Sequence, residues 1–380
     1  MWNIDSIKKR KRQILTEIKN CMDKEELEKL EITLSSYISM LDNSGTIRNT
    51  KFYNLMDKIT KGNFSLIRPS TKYLSNVGNI VYSHKDYLDK EYLNFLLQLM
   101  NQIVKSEPVI DETSDFTYQN IPLSNERVLK TSKLFYQSLG DEDIYKNAKK
   151  IIEDETALHF SDTYSTSYAQ AGGITFYDYV WEKVFCSTKR SYTLFDFQAC
   201  NHEIMHGIDF YFNPKLPTKV YYGFHEIPTY TIDYLFIDYL EKQGFDKEEV
   251  QKLRMQKDAY LQGLAFDTKC MIQSELVRKN SLGYFRKYTG EGVMEIINHD
   301  ILNQLLEIQS GVVAYGLHKQ FNDNFQLGMI NLKNIMSNLI SKDKKPDFSN
   351  IALSDEKLLL LSSEIGLYSK EYSQNNIRIR

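Results

Sequence analysis

Two histidines four residues apart bracket a glutamate in the segment Asn201-His202-Glu203-Ile204-Met205-His206. On an α-helix this spacing stands both imidazoles on one face, where they can share a metal ion, and Glu203 falls beside that face within reach of a water at the metal. The chemistry open to such a set is metal-assisted hydrolysis, with the metal polarising a carbonyl and the glutamate moving a proton. The surrounding residues Leu194, Phe195, Phe197, Ala199, Ile204, Met205, Ile208 and Phe210 are apolar. On so apolar a helix, two histidines and a glutamate are costly to bury unless they bind something.

Hydrolytic zinc takes three protein ligands and leaves the fourth position to water, so a third ligand must lie elsewhere. The extended pattern with a third histidine on the same segment is excluded, because it needs Gly at 209 and His at 212, where this chain has Asp209 and Phe212. The other standard solution is a glutamate on a following helix. Glu226 opens one after a loop broken by Pro214 and Pro217; the competing reading is an acid favoured by the helix dipole. Asp233, two turns further along the same face, either accepts a hydrogen bond from a ligand histidine or is a solvated acid. His225 either binds substrate or is hydrogen-bonded locally.

The elements that must position these residues are mostly helical. Apolar periodicity covers much of the chain, and capping chemistry marks starts at Asp23 with Glu26, at Ser124 and at Ser354. Residues 5–61 read as two or three amphipathic helices, 63–70 as a loop and 84–105 as a helix. The polar stretch 106–125, with Pro108 and Pro122, reads as a boundary, giving an N-terminal helical region over 1–110 and a catalytic region over 111–380. The clearest β signal lies between Tyr164 and Val184 around Gly172-Gly173. A helix over 193–212 follows, then the Glu226 helix, which tolerates Pro228 in its first turn, then four more helical segments.

The chain has 380 residues, 42% hydrophobic and 26% charged, which excludes a disordered protein and allows a deep buried site. A net charge of −3 excludes a broad basic field for nucleic acid or anionic lipid, and the run from Lys8 to Arg12 reads as a solvated helix face. Cys21, Cys186, Cys200 and Cys270 are scattered without a CxxC pair, which fits a reducing compartment. No leader-like segment opens the chain and no apolar run is long enough to span a bilayer, so the expectation is a cytoplasmic protein without membrane or nucleic-acid partners.

Together these residues resemble the thimet oligopeptidase and oligoendopeptidase F metallopeptidases, gluzincins in which HExxH is completed by a downstream glutamate. Glu226-Ile227-Pro228-Thr229 is similar to the family's Glu-x-Pro-Ser segment, and Asp233 falls at its second acid. Leu123-Ser124 through Gly140 and Gly172-Gly173 through Phe185 resemble the helix and edge strand ahead of the zinc helix. Phe266-Asp267-Thr268 and Ser310-Gly311-Val312-Val313-Ala314 resemble two later helices. The resemblance covers roughly the last two-thirds of the chain. It implies a mainly α zincin-type fold with a small sheet beside the active-site helix, one Zn2+ at the base of a deep channel, and short unstructured peptides as substrates. In that reading the Gly172-Gly173 strand adds a peptide by main-chain hydrogen bonds, unless the pair is a simple turn or bulge.

The chain also departs from the family. The segment between His206 and Glu226 is a few residues shorter, and Leu306 and Ile308 stand where the family carries tyrosines that stabilise the oxyanion. Tyr315, seven residues after Ile308, is the expected substitute, and His299 is expected to match an upstream family histidine; Tyr284 and Tyr288 are further candidates. Loss of those tyrosines also admits a weakly active relative that binds peptides, and the short chain would suit a protease dedicated to one leader or signalling peptide.

Overall fold

The structure is a computed structural model, and it describes residues 4–43, 90–105, 124–161, 173–179, 182–214, 222–278, 297, 299–338 and 345–365. In chain order the elements are α1 (Ile4–Asn20), α2 (Lys24–Asn43), α3 (Lys90–Lys105), α4 (Asn125–Ser138), α5 (Glu142–Glu153), β1 (Leu158–Ser161), β2 (Gly173–Asp178), β3 (Lys183–Lys189), α6 (Phe195–Phe212), α7 (Glu226–Lys242), α8 (Lys247–Arg278), α9 (His299–Asp323), α10 (Phe325–Ser337) and α11 (Asp355–Ser363). The fold is therefore mainly helical with a small sheet. Contacts group the chain into two compact units, residues 1–81 with 120–216 and residues 82–119 with 217–380.

The sheet lies in the first unit, with strand order β1-β3-β2. β1 runs parallel to β3, and β2 pairs antiparallel with it from Gly173 opposite Thr188 to Asp178 opposite Lys183. Strand structure thus begins earlier and ends later than the 164–184 signal. β1 carries no β-branched residue, and β3 continues through Cys186 and Ser187, which are weaker strand markers than Val and Ile.

Period-two alternation gives the sheet two different faces. Phe176 and Phe185 are paired across the strands and pack with Ile14, Ile18, Leu30, Leu34 and Tyr37 of α1 and α2. Thr175 and Cys186, one residue along and also paired, point the other way, toward α6. One correction concerns the basic run. Lys8, Lys9 and Arg12 are exposed, but Arg10 is only 3% exposed and lies with Ile14 and Ile18 on the buried stripe of α1. Its guanidinium sits 3.7 Å from Asp178, which also accepts a 2.8 Å hydrogen bond from the Tyr37 hydroxyl. Burial and that carboxylate push the Tyr37 hydroxyl pKa up, so it stays a donor.

The predicted caps form: Asp23 accepts from the Glu26 amide, Ser124 from Arg127 and Ser354 from Lys357. In the second unit α9 approaches its neighbours closely at two glycines. A Cβ on Gly311 would lie 2.6 Å from Leu261 of α8, and one on Gly223 would lie 3.0 Å from Leu306. The Ser310 hydroxyl donates to the Gly223 carbonyl at 2.8 Å, tying α9 to the short turn that leads into α7. That is the physical work done by the Ser-Gly pair noted in the sequence. All four cysteines are free, and among the described residues no helix is long and apolar enough to cross a membrane.

Replacing Tyr37 with Phe removes a donor to a buried carboxylate and is expected to cost about 1–3 kcal/mol. The check is the urea unfolding midpoint; no change in it would show that the Tyr37–Asp178 bond contributes nothing to holding α2 on the sheet.

Candidate functional site

Helix α6 enters through an electrostatic turn. Leu194 at its N-cap offers no side-chain hydrogen bond. Asp196 does that work instead: its carboxylate accepts from the Ser191 and Tyr192 amides at 2.7 and 3.0 Å, and Arg190 pairs with it at 3.1 Å. Tyr192 takes a left-handed conformation, φ 57°, which lets the turn close around the acid. Beyond it α6 is buried on most of its circumference, with Phe197, Ala199, Cys200, Ile204, Met205 and Ile208 all in the core. The Tyr136 hydroxyl of α4 donates to the Asn201 carbonyl at 2.7 Å, and the Asn201 side chain donates back to Phe197.

His202 and His206 are half-buried, with ring centroids 4.9 Å apart on one face of α6. Between them Glu203 is 4% exposed, and its carboxylate is held at the sheet: the Thr175 hydroxyl lies 2.6 Å from Oε2 and 3.0 Å from the Glu203 carbonyl. Gly173, two residues along the same face of β2, leaves the room that Glu203 fills. A Cβ there would fall 2.5 Å from Glu203 Cγ and 2.7 Å from Oε1. Beneath them Cys186 donates its thiol to the Glu203 carbonyl, and burial raises both its pKa and that of Cys200, the latter to about 12. Both thiols are therefore protonated fillers, not nucleophiles.

Glu226 begins α7, with Pro228 in the first turn where no amide partner is needed. The Thr229 hydroxyl contacts both its carbonyl and Oε2, at 3.0 and 3.1 Å. His202, His206 and Glu226 each offer one ligand atom, and these three atoms lie within 4.8 Å of one another. Among the described residues no other trio of His, Cys, Asp or Glu converges in this way. Two imidazoles and one carboxylate form a donor set suited to zinc, so the residues present fit the ion that the spacing implies.

The other expected residues are placed as follows. Asp233 is buried and ion-paired with Lys257 at 2.7 Å, so it is not a solvated acid; the Lys257 ammonium also sits 3.5 Å over the Tyr230 ring. His225, immediately before Glu226, is buried at the end of the short helical turn. Tyr315 is buried, its ring 5.9 Å from that of Tyr234. Leu306 and Ile308 are core side chains. His299 opens α9, but its side chain, Gly172, Tyr284 and Tyr288 lie outside the described residues.

Sequence reasoning missed a polar knot beside Glu226. Glu307, between Leu306 and Ile308, accepts 2.6 Å hydrogen bonds at one oxygen from both Tyr230 and Tyr260. Tyr260 remains 49% exposed. Burial raises the Glu307 pKa, the two hydroxyls lower it, and Glu226 adds to the rise. Tyr230, one turn after Glu226, was recoverable from i, i+4 spacing; Tyr260 comes from another helix and leaves no local signal.

No family model and no curated protein sequence matches the chain. Among solved structures the fold is similar to PZ peptidase A with inhibitor 2, at TM-score 0.56 and 12% identity over 97% of each chain. A structure from Bacillus anthracis str. Ames assigned as an oligoendopeptidase F aligns at TM-score 0.49 and 13% identity over 77% of this chain. The chain spans 56% of that protein's length. At such identities the likeness is one of fold, and both of these neighbours are peptidases.

Adding a methyl at Gly173 is expected to destabilise by about 1–3 kcal/mol through overpacking. Pairing Gly173→Ala with Glu203→Ala in a double-mutant cycle should return a cost below the sum of the two, because one of the colliding groups is gone. Strict additivity in denaturant unfolding would contradict the close approach.

Proposed function

We propose that the protein is a zinc-dependent endopeptidase acting on short unstructured peptides, a shortened and divergent relative of the oligopeptidase family it resembles. The observation that carries this reading is the convergence of His202, His206 and Glu226 next to a glutamate that is buried yet held by hydrogen bonds. The likeness of fold to PZ peptidase A supports it. In this proposal His202, His206 and Glu226 hold one zinc ion, which when bound supplies a Lewis acid for the scissile carbonyl and acidifies water.

The chain's own residues supply the rest. Glu203 accepts the proton of the attacking water and later delivers it to the leaving amine, which a carboxylate can do when one oxygen faces the reacting groups. The Thr229 hydroxyl contacts Oε2 of Glu226 at 3.1 Å and would help orient the carboxylate in the proposed site. Asp233 and Lys257 form a buried ion pair that leaves neither charge uncompensated beside the proposed site. β2 is an edge strand among the described residues, and its outer edge is the proposed track along which an extended peptide lies, with Gly172 and Gly173 at its start. Such a track selects unfolded substrates and reads sequence loosely. Tyr315 and His299 remain proposed catalytic residues, and His225 a proposed substrate contact.

Glu203→Gln is expected to retain zinc, measured by metal analysis, and to lose at least about 100-fold in cleavage of a mixed peptide library read by mass spectrometry. Unaltered cleavage would remove Glu203 from the mechanism. Chelation should abolish cleavage and zinc should restore it. Intact peptides with the wild type, zinc confirmed bound, would favour the peptide-binding reading, to which the buried Leu306 and Ile308 point.

A further inference from the structure

The Glu203 carboxylate has two oxygens in different surroundings, and Thr175 is what makes them different. Oε2 lies 2.6 Å from the Thr175 hydroxyl, while Oε1 occupies the space that a side chain at Gly173 would need, 2.7 Å from where a Cβ would stand. A hydroxyl carries one proton, and the shorter, charge-assisted contact takes it, so Oε2 is the acceptor and the 3.0 Å approach to the Glu203 carbonyl is secondary. We propose that Thr175 is a positioning residue that fixes Glu203 through Oε2 and thereby presents Oε1 along β2 to the water and the leaving amine. This rests on the reading of Glu203 as the proton carrier.

Three features support the assignment. Thr175 is paired in register with Cys186, whose thiol contacts the Glu203 carbonyl, so both strands aim a donor at the same residue of α6. Gly173 shares that face of β2 and confines the glutamate from the other side. Packing alone does not require a hydroxyl here, since Val has nearly the shape of Thr and a higher strand preference. A glutamate has three rotatable bonds, and with its neighbours fixed one hydrogen bond is enough to choose among the remaining rotamers.

The experiment compares Thr175→Val with Thr175→Ser in the zinc-loaded, full-length protein. Thr175→Val should lower kcat roughly 10–100-fold, as loss of an orienting partner commonly does, with zinc content unchanged. KM should stay within about twofold, because the lost interaction serves the transition state and not ground-state binding. Thr175→Ser should restore most of the rate. A second readout is independent of activity: in protein labelled at glutamate carboxyl carbons, the Glu203 resonance, assigned by its absence in Glu203→Gln, should move in Thr175→Val and hold in Thr175→Ser. An unmoved resonance, or unchanged kcat in folded Thr175→Val, would overturn the proposal. If the wild type cleaves no peptide, the peptidase reading falls while the resonance still decides the positioning. Should Thr175→Val fail to fold, Thr175→Ala beside Thr175→Ser gives the same comparison.

Discussion

A glutamate only 4% exposed on a helix buried around most of its circumference is the constraint from which much of the first unit can be read. An unpartnered carboxylate at that depth would be strongly unfavourable or would give up its charge. The Thr175 hydroxyl and the glycine at 173 remove the difficulty together, one by donating a hydrogen bond and the other by yielding space. Both lie on β2, so β2 must sit on α6 in one register. A slip of one residue would replace Thr175 by Phe176 or Ile174 and leave Glu203 facing an apolar side chain.

That register propagates outward. With Thr175 and Cys186 turned toward α6, the paired Phe176 and Phe185 must face the opposite side, and α1 and α2 cover them there. Asp178, at the end of β2, is buried as a result and takes Tyr37 and Arg10 as partners. A polar residue facing α6 and an ion pair at α1 and α2 are thus consequences of one strand's alternation. Helices α1 and α2 cover the face of the sheet opposite α6.

In the second unit the same economy appears around Glu226. A threonine hydroxyl again touches both the main-chain and the carboxylate oxygens of a glutamate, here Thr229 on Glu226. The turn ahead of it is fixed by Ser310 of α9, which can approach because residue 223 has no side chain. Glu307, flanked by Leu306 and Ile308, gathers two tyrosine hydroxyls from α7 and α8.

The sequence by itself determined the local features whose signals are short-range. The i, i+4 histidines put both imidazoles on one face of α6, the polar caps at Asp23, Ser124 and Ser354 set helix starts, and Pro228 sits in a first turn where a missing amide costs nothing. Glu226 was legible as a candidate because few acids open a helix just after an HExxH segment. Tertiary structure alone decided which strand residue meets Glu203, why Arg10 leaves its exposed neighbours for the core, and which tyrosines surround Glu307. Those partners lie 28, 168 and 77 or 47 residues apart in the chain (203 − 175, 178 − 10, 307 − 230 and 307 − 260). At such separations periodicity says which face a residue occupies, but the packing of whole elements chooses what that face meets.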